Sequence, residues 1–273
     1  MQFFLGAHQP SWLWKEEFRN IPLFISRVRL APYKSFKPAE TEWALDSGGF
    51  SELSLHGRWT LGPHEYAAEV RRYQEHIGGM QWAAIQDWMC EDVIRYKTQL
   101  TVEDHQLLTV CSYLDLMSIA PEIPWVPVIQ GFGMGEYFDH IRMYQKYGVD
   151  LSKLPLVGVG SVCRRGSLAR GWANMYTVIS YLADDGYKLH GFGLKSTALG
   201  SIGKYLESSD SMAWSFDARQ QRQQRMEGCT HPGKCQNCPR WARRWRDRVL
   251  AGLEQDSLLN EVESDIEMEE EAA

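Results

Sequence analysis

The sequence predicts an α/β protein, an irregular (β/α)8 TIM barrel with a zinc-knuckle insertion near the C-terminus. Three observations predict it. Short apolar runs alternate with helix-periodic segments along the chain, the signature of βα units around a parallel sheet. Eight such runs occur within 273 residues, a length that suits one barrel. No G-x-G-x-x-G or P-loop follows the first run, which weighs against the rival doubly wound open sheet.

The strands are expected at Phe3–Gly6, Arg27–Ala31, Trp43–Leu45, Trp82–Gln86, Val126–Gln130, Leu156–Gly160, Leu189–Leu194 and Met212–Phe216. Each is short and apolar or alternating, as a buried or half-buried strand should be. The helix His64–Ile77 places Tyr66, Val70, Tyr73 and Ile77 on one face. Further helices are expected at Val102–Ile119, Met134–Tyr147, Arg170–Tyr187 and Ser201–Leu206, with Gly148 and Gly186 where helix stops belong. Residues 1–253 are expected to form one barrel domain that includes the knuckle at 229–238. Residues 254–273 form an acidic tail, expected to be disordered.

No apolar run approaches the roughly 18 residues a membrane span needs. The N-terminus lacks a basic region before its apolar stretch, so it predicts a first strand and not a signal peptide. Six cysteines without a signal peptide favour a reducing compartment, and a metal site over disulfides. The expected location is therefore the cytoplasm. The nine acids of the tail exceed the whole net charge of −6, so residues 1–253 carry +3. Arg219, Arg222, Arg243 and Arg244 belong to a basic segment interleaved with Trp241 and Trp245, a pattern suited to phosphate backbones.

Barrels place their chemistry where strands end. Asp46, Ser47 and Gly48 close the third run, Asp87 the fourth, Gln130 the fifth, and Gly158 and Gly160 the sixth; Asp210 opens the last. An acid and an amide complement the donors and acceptors of a purine edge. Two further carboxylates suit glycosidic chemistry, one attacking the anomeric carbon and one moving a proton. Cys229, His231, Cys235 and Cys238 have the spacing C-x-H-x3-C-x2-C, and Cys3His is a known structural set for Zn2+. No histidine follows Cys238, so His231 is the nearest fourth ligand from the chain.

Four motifs then resemble one family. Asp46-Ser47-Gly48-Gly49-Phe50 resembles the acid-Ser-Gly-Gly-Phe motif of the tRNA-guanine transglycosylase superfamily. Val128-Ile129-Gln130-Gly131 is similar to its Val-Gln-Gly motif, and Val157-Gly158-Val159-Gly160-Ser161-Val162 to its glycine-rich turn, with Val159 in place of one glycine. Asp210-Ser211-Met212-Ala213-Trp214 resembles the stretch that bears the nucleophile in archaeal members. The motifs come in the family's order, and the chain is most similar to the DpdA group, phage and bacterial enzymes that insert 7-deazaguanines into DNA.

The resemblance implies exchange of guanine in DNA for a 7-deazaguanine such as preQ0 (7-cyano-7-deazaguanine), in the host cytoplasm where a phage carries the gene. It implies Asp210 as nucleophile and Asp46 as general acid/base. Asp87, Gln130, Gly158 and Gly160 would surround the purine. Asp217 is a rival nucleophile, because Phe216-Asp217 resembles the bacterial pair. The family's zinc spacing, C-x-C-x2-C with a distant histidine, differs from the spacing here. Trp12, Trp14, Trp88 and Trp125 are candidates for stacking on an extruded base, and His8 for lining the site. A tRNA substrate with the same chemistry and a non-catalytic nucleic-acid-binding barrel are the alternatives. Members of the superfamily often form homodimers, which no residue here decides.

Overall fold

A ring of parallel strands closes because one segment pairs on both sides. The computed structural model describes residues 1–161, 169–221 and 225–254, without the side chains of 169–173 and 196. Strands β1 (Gln2–Ala7), β2 (Leu23–Ser26), β3 (Trp43–Asp46) and β4 (Met80–Ala84) are followed by β5 (Trp125–Val126), β6 (Val128–Ile129), β7 (Val157–Val159), β8 (Leu189–Gly191) and β9 (Ser208–Ser211). Their order is β5-β4-β3-β2-β1-β9-β8-β7-β6, and every pairing is parallel. β5 and β6 are halves of one stave, separated only by Pro127, which has no N–H to donate. The first half pairs with β4 and the second with β7. Eight staves thus make a nearly closed barrel.

Ten α-helices are present among the described residues. They are α1 (Arg27–Leu30), α2 (Gly49–His56), α3 (Pro63–His76), α4 (Asp92–Thr98), α5 (Val102–Ile119), α6 (Met134–Lys146), α7 (Ala169–Asp184), α8 (Ser196–Ile202), α9 (Ala213–Gln220) and α10 at 239–254. The helical expectations agree with α3, α5, α6 and α7 to within a few residues. Gly148 and Gly186 have φ of 83° and 87°, the left-handed stop that glycine permits.

Two strand expectations fail. Arg27–Ala31 is not a strand: Arg27–Leu30 is the short helix α1, and the strand is the preceding run Leu23–Ser26. Met212–Phe216 opens the helix α9, and the strand is Ser208–Ser211. Arg27–Leu30 alternates charged and apolar residues, and Met212–Phe216 is mostly apolar. The true β9 is polar yet buried, because its groups bond to its neighbour β8 and the loop after it. Ser208 Oγ meets His190 Nδ1 at 2.8 Å, Ser209 Oγ donates to Gly191 O, and Asp210 accepts from Gly193 N–H. Such pairing removes the cost of burying polar groups.

The period of two along each strand sends Leu5, Leu23, Trp43 and Leu45 outward into the core beneath the helices. Phe4, Phe24 and Trp82 point inward and form a separate cluster with Phe192 packed against it. The His190 ring joins them, 4.7 Å from Trp82 and 4.6 Å from Phe192 between centroids. This aromatic plug fills the middle of the barrel and separates a cavity at the strands' C-terminal ends from a second one at their N-terminal ends.

One ion pair anchors the β2–α1 corner. Arg27 Nη2 lies 2.6 Å from Glu52 Oε1 and Nη1 lies 3.3 Å from Glu69, with both Arg27 and Glu52 buried. Arg27→Ala would strand Glu52 as a buried charge. We expect it to lower the unfolding free energy by about 3–5 kcal/mol, read from urea midpoints. A loss below about 1 kcal/mol would mean that the pair behaves like a surface bridge.

Candidate active site and metal centre

Asp46 ends β3 two residues beyond the inward-facing Ala44, so its carboxylate points into the barrel mouth. The turn after it needs glycine twice. Gly48 has φ of 82°, and a Cβ there would meet Val28 at 2.6 Å; a Cβ on Gly49 would press on Asp87 Oδ1 at 3.2 Å. The Gly48 N–H and the Ser26 hydroxyl both bond to Asp46. Burial nevertheless raises the Asp46 pKa above the usual carboxylate range, and the charge of Asp210 adds to that rise.

Asp210 lies on β9, in register with inward-facing Phe4. Its Oδ1 accepts from Gly193 N–H at 2.8 Å and sits 3.4 Å from His190 Nε2. Its Oδ2 has no partner among the described residues. β2 and β1 separate β3 from β9, so Asp46 and Asp210 face each other across the mouth. Both line one cavity of about 320 Å3, at the small end of the range for ligand sites.

Asp87 and Gln130 occupy the far side of that cavity. Gln130 Nε2 donates to Asp87 Oδ2 at 2.5 Å, and Ser47 Oγ lies 3.4 Å from Asp87 Oδ1. Burial, then the charge of Asp46, pushes the Asp87 pKa up to about 7. The Gln130 backbone is clamped from two helices. Its N–H donates to His140 Nδ1 on α6, and its carbonyl accepts from Gln106 on α5. His140 can accept because burial drives its pKa down to about 3. Gly160 leaves room for the Gln130 amide, which a Cβ there would meet at 2.2 Å.

Sequence reasoning missed Glu91. Its Oε2 lies 3.0 Å from Ser161 Oγ, which also donates to Gln130 Oε1 and accepts from Cys90 N–H. Ser161 holds φ of 56°, a strained conformation for a side-chain-bearing residue and one that tends to mark functional sites. No motif pointed to Glu91, because its place depends on which strand ends converge.

The remaining expectations divide. Asp46, Asp87, Gln130, Gly160, Asp210 and His8 share the cavity. Ser47 and Gly48 stand behind it as supports. Gly158 lies deeper, where a Cβ would meet Phe192 at 2.4 Å, so its small size makes room for the plug. Asp217 faces elsewhere, 3.3 Å from Arg248 in a surface cleft. The four tryptophans do not line the cavity. Trp12 is stacked on Phe18 and Trp125 is bonded to Ala120 O, both in the core; Trp88 and Trp14 pack against His105 and Tyr33. The aromatic lining is Phe24, Phe50 and Phe192. The basic segment does not form one stripe. Arg219 projects from α9 and Arg243 and Arg244 flank a separate cleft with Arg240, while Arg222 lies outside the described residues. Trp241 and Trp245 fasten α10 to the barrel, through Trp214 O and Phe3.

The family model DpdA, DeoxyPurine in DNA protein A, matches residues 1–264. The chain belongs to the DpdA family. None of the curated proteins matches it. DpdA membership supports a transglycosylase type of transferase activity on DNA. No helix among the described residues is long and apolar enough to cross a membrane.

Beside the barrel, this DpdA chain gathers Cys229, His231, Cys235 and Cys238, whose ligand atoms all lie within 4.8 Å of one another. Cys229 Sγ is 3.7 Å from Cys238 Sγ and 4.0 Å from Cys235 Sγ, and His231 Nε2 is 3.5 Å from Cys235 Sγ. A tetrahedron with metal–sulfur bonds of about 2.3 Å has edges of about 3.8 Å, so the set fits a metal ion such as zinc. Burial and the neighbouring thiols push the Cys229 thiol up to about 11. A bound dication would remove that penalty and hold the thiolates. The cluster packs on Ala218 of α9 and on Trp241, and Ser215 Oγ donates to Gln236 O. It therefore braces the helix that follows the Asp210 strand.

Proposed function

We propose that the protein exchanges guanine in DNA for a 7-deazaguanine, preQ0 or a derivative, through a covalent aspartyl glycosyl-enzyme. One observation carries this reading: Asp46 and Asp210 face each other across a single cavity, with Asp87 and Gln130 at its far side. A duplex hides C1′, so the target nucleotide must be extruded into the cavity or arrive single-stranded. Asp210, held by the Gly193 N–H through Oδ1, attacks C1′ through Oδ2. The C1′–N9 bond breaks as the Oδ2–C1′ bond forms. Asp46, whose raised pKa favours the protonated form, supplies the proton that the departing guanine needs. In the return step the incoming base gives its N9 proton to Asp46, N9 attacks C1′, and the Asp210 carboxylate leaves. Asp87 accepts from the purine's ring N–H and amine, while Gln130 meets its carbonyl edge. The three cysteines and His231 would hold a structural Zn2+, whose four filled positions leave none for catalysis.

An exchange assay with labelled guanine and preQ0, run on both DNA and tRNA, tests this reading. Incorporation into DNA is expected. Incorporation into tRNA alone would remove the DNA assignment, and incorporation into neither would leave a binding module. Metal analysis is expected to find about one zinc per chain, lost in Cys235→Ser together with part of the thermal stability. A fully folded, metal-free wild type would refute the knuckle.

A further inference from the structure

The cavity is electrically lopsided. Asp87, Glu91 and Gln130 hold the β4–β7 side, and among the described residues Arg29 and His8 are the basic side chains lining it, both from the β1–β2 side. Arg29 projects from α1, is exposed, and makes no ion pair or hydrogen bond with the described residues. Arg219 projects from α9, which follows β9, the other neighbour of β1. Among the described residues its side chain is engaged through Nη2, which donates to Ser215 Oγ at 3.3 Å. Both arginine charges reach His8, whose pKa is lowered first by burial and then by Arg29 and Arg219. α1 and α9 follow the two strands that flank β1, and His8 follows β1 itself, so Arg29 and Arg219 project from the elements on either side of His8.

We propose that Arg29 and Arg219 form a clamp for the DNA backbone phosphate next to the target nucleotide. The inference rests on the orientation proposed above. A sugar held between Asp46 and Asp210 with its base toward Asp87 directs its phosphate-bearing oxygens over β1 and β2, within the arc of Arg29. The guanidinium fork suits phosphate oxygens. Among the described residues the rest of the lining gathers four carboxylates, which disfavour a phosphate there. The two substrates are thus told apart by opposite ends of one site: the incoming free base uses only the acidic end, and the polynucleotide uses both.

The test pairs affinity with exchange. Binding of a single-stranded oligonucleotide with one target guanine is measured by fluorescence anisotropy over a range of salt, and KM values are measured for DNA and for free base. Arg29→Ala should weaken DNA binding and raise the KM for DNA about tenfold, with Arg29→Lys intermediate. The KM for the free base should stay within about twofold, and the log–log salt slope should fall by about 0.7 for the one lost contact. A neutral methylphosphonate placed at each flanking phosphate in turn should weaken wild-type binding at one position, with no further loss in Arg29→Ala. Unchanged DNA affinity and slope in Arg29→Ala, or no sensitive phosphate, would overturn the clamp. A wild type that binds DNA but never exchanges a base would instead sink the transglycosylase reading, while the affinity data would still decide the clamp.

Discussion

Asp210→Asn is expected to reduce base exchange by at least about ten-thousandfold, the scale of losing a covalent catalyst's nucleophile. The fold should survive. Asparagine keeps an oxygen to accept the Gly193 N–H, and its volume matches the buried aspartate beside His190. Circular dichroism and the urea midpoint should therefore stay close to wild type. An adduct trapped on intact protein during turnover should map to Asp210 and vanish in the variant. Asp217→Asn is the paired control, because Asp217 lies in another cleft against Arg248. Turnover within about tenfold of wild type in Asp210→Asn, or abolished exchange in Asp217→Asn, would remove the nucleophile assignment.

Asp87→Asn should separate stability from function. Burial and the Asp46 charge raise the folded pKa of Asp87 to about 7, whereas the unfolded chain titrates near the ordinary value of about 3.9. Between those values the folded state keeps a proton that the unfolded state has lost. The contribution of Asp87 to stability is therefore complete below about pH 4 and is lost as pH rises toward about 7. Asparagine has no charge to bury. Urea midpoints measured from pH 4 to pH 8 should show the variant gaining on wild type as pH rises, then levelling off above about pH 7. Base recognition should collapse all the same. An amide in place of the carboxylate presents a donor to the purine's own donors, and the KM for the free base should rise about a thousandfold or more. A flat stability difference across that range would contradict the raised pKa, and an unchanged KM would contradict the role.

The legible parts of this site were the local ones. Asp46-Ser47-Gly48-Gly49 could be read because its turn has demands that only certain residues meet, a left-handed glycine and then a glycine beside Asp87. The knuckle could be read because ligands close in sequence are close in space. Asp210 was found by its motif although its strand was misread. A run of Ser208, Ser209, Asp210 and Ser211 has no apolar pattern, and only the neighbouring β8 and its loop supply the partners that let it be buried. Arg29 and Glu91 carried no signal at all. The basic segment shows the opposite error, a cluster in the chain that folding divides. Arg248 is taken up by Asp217, and Arg240 donates to Gly228 O beside the knuckle. Arg219 projects from α9, apart from both.

The sequence by itself determined the succession of strands and helices that makes a barrel, the Cys229–Cys238 cluster and the backbone of the Asp46 turn, because periodicity, short spacing and glycine conformation act over a few residues. The tertiary structure alone decided that Asp46 and Asp210 share a cavity, that burial pushes the Asp87 pKa up to about 7, and that Arg29 borders the mouth. Those properties come from burial and from charges meeting across the barrel, and they exist only once the β5–β6 stave has closed it.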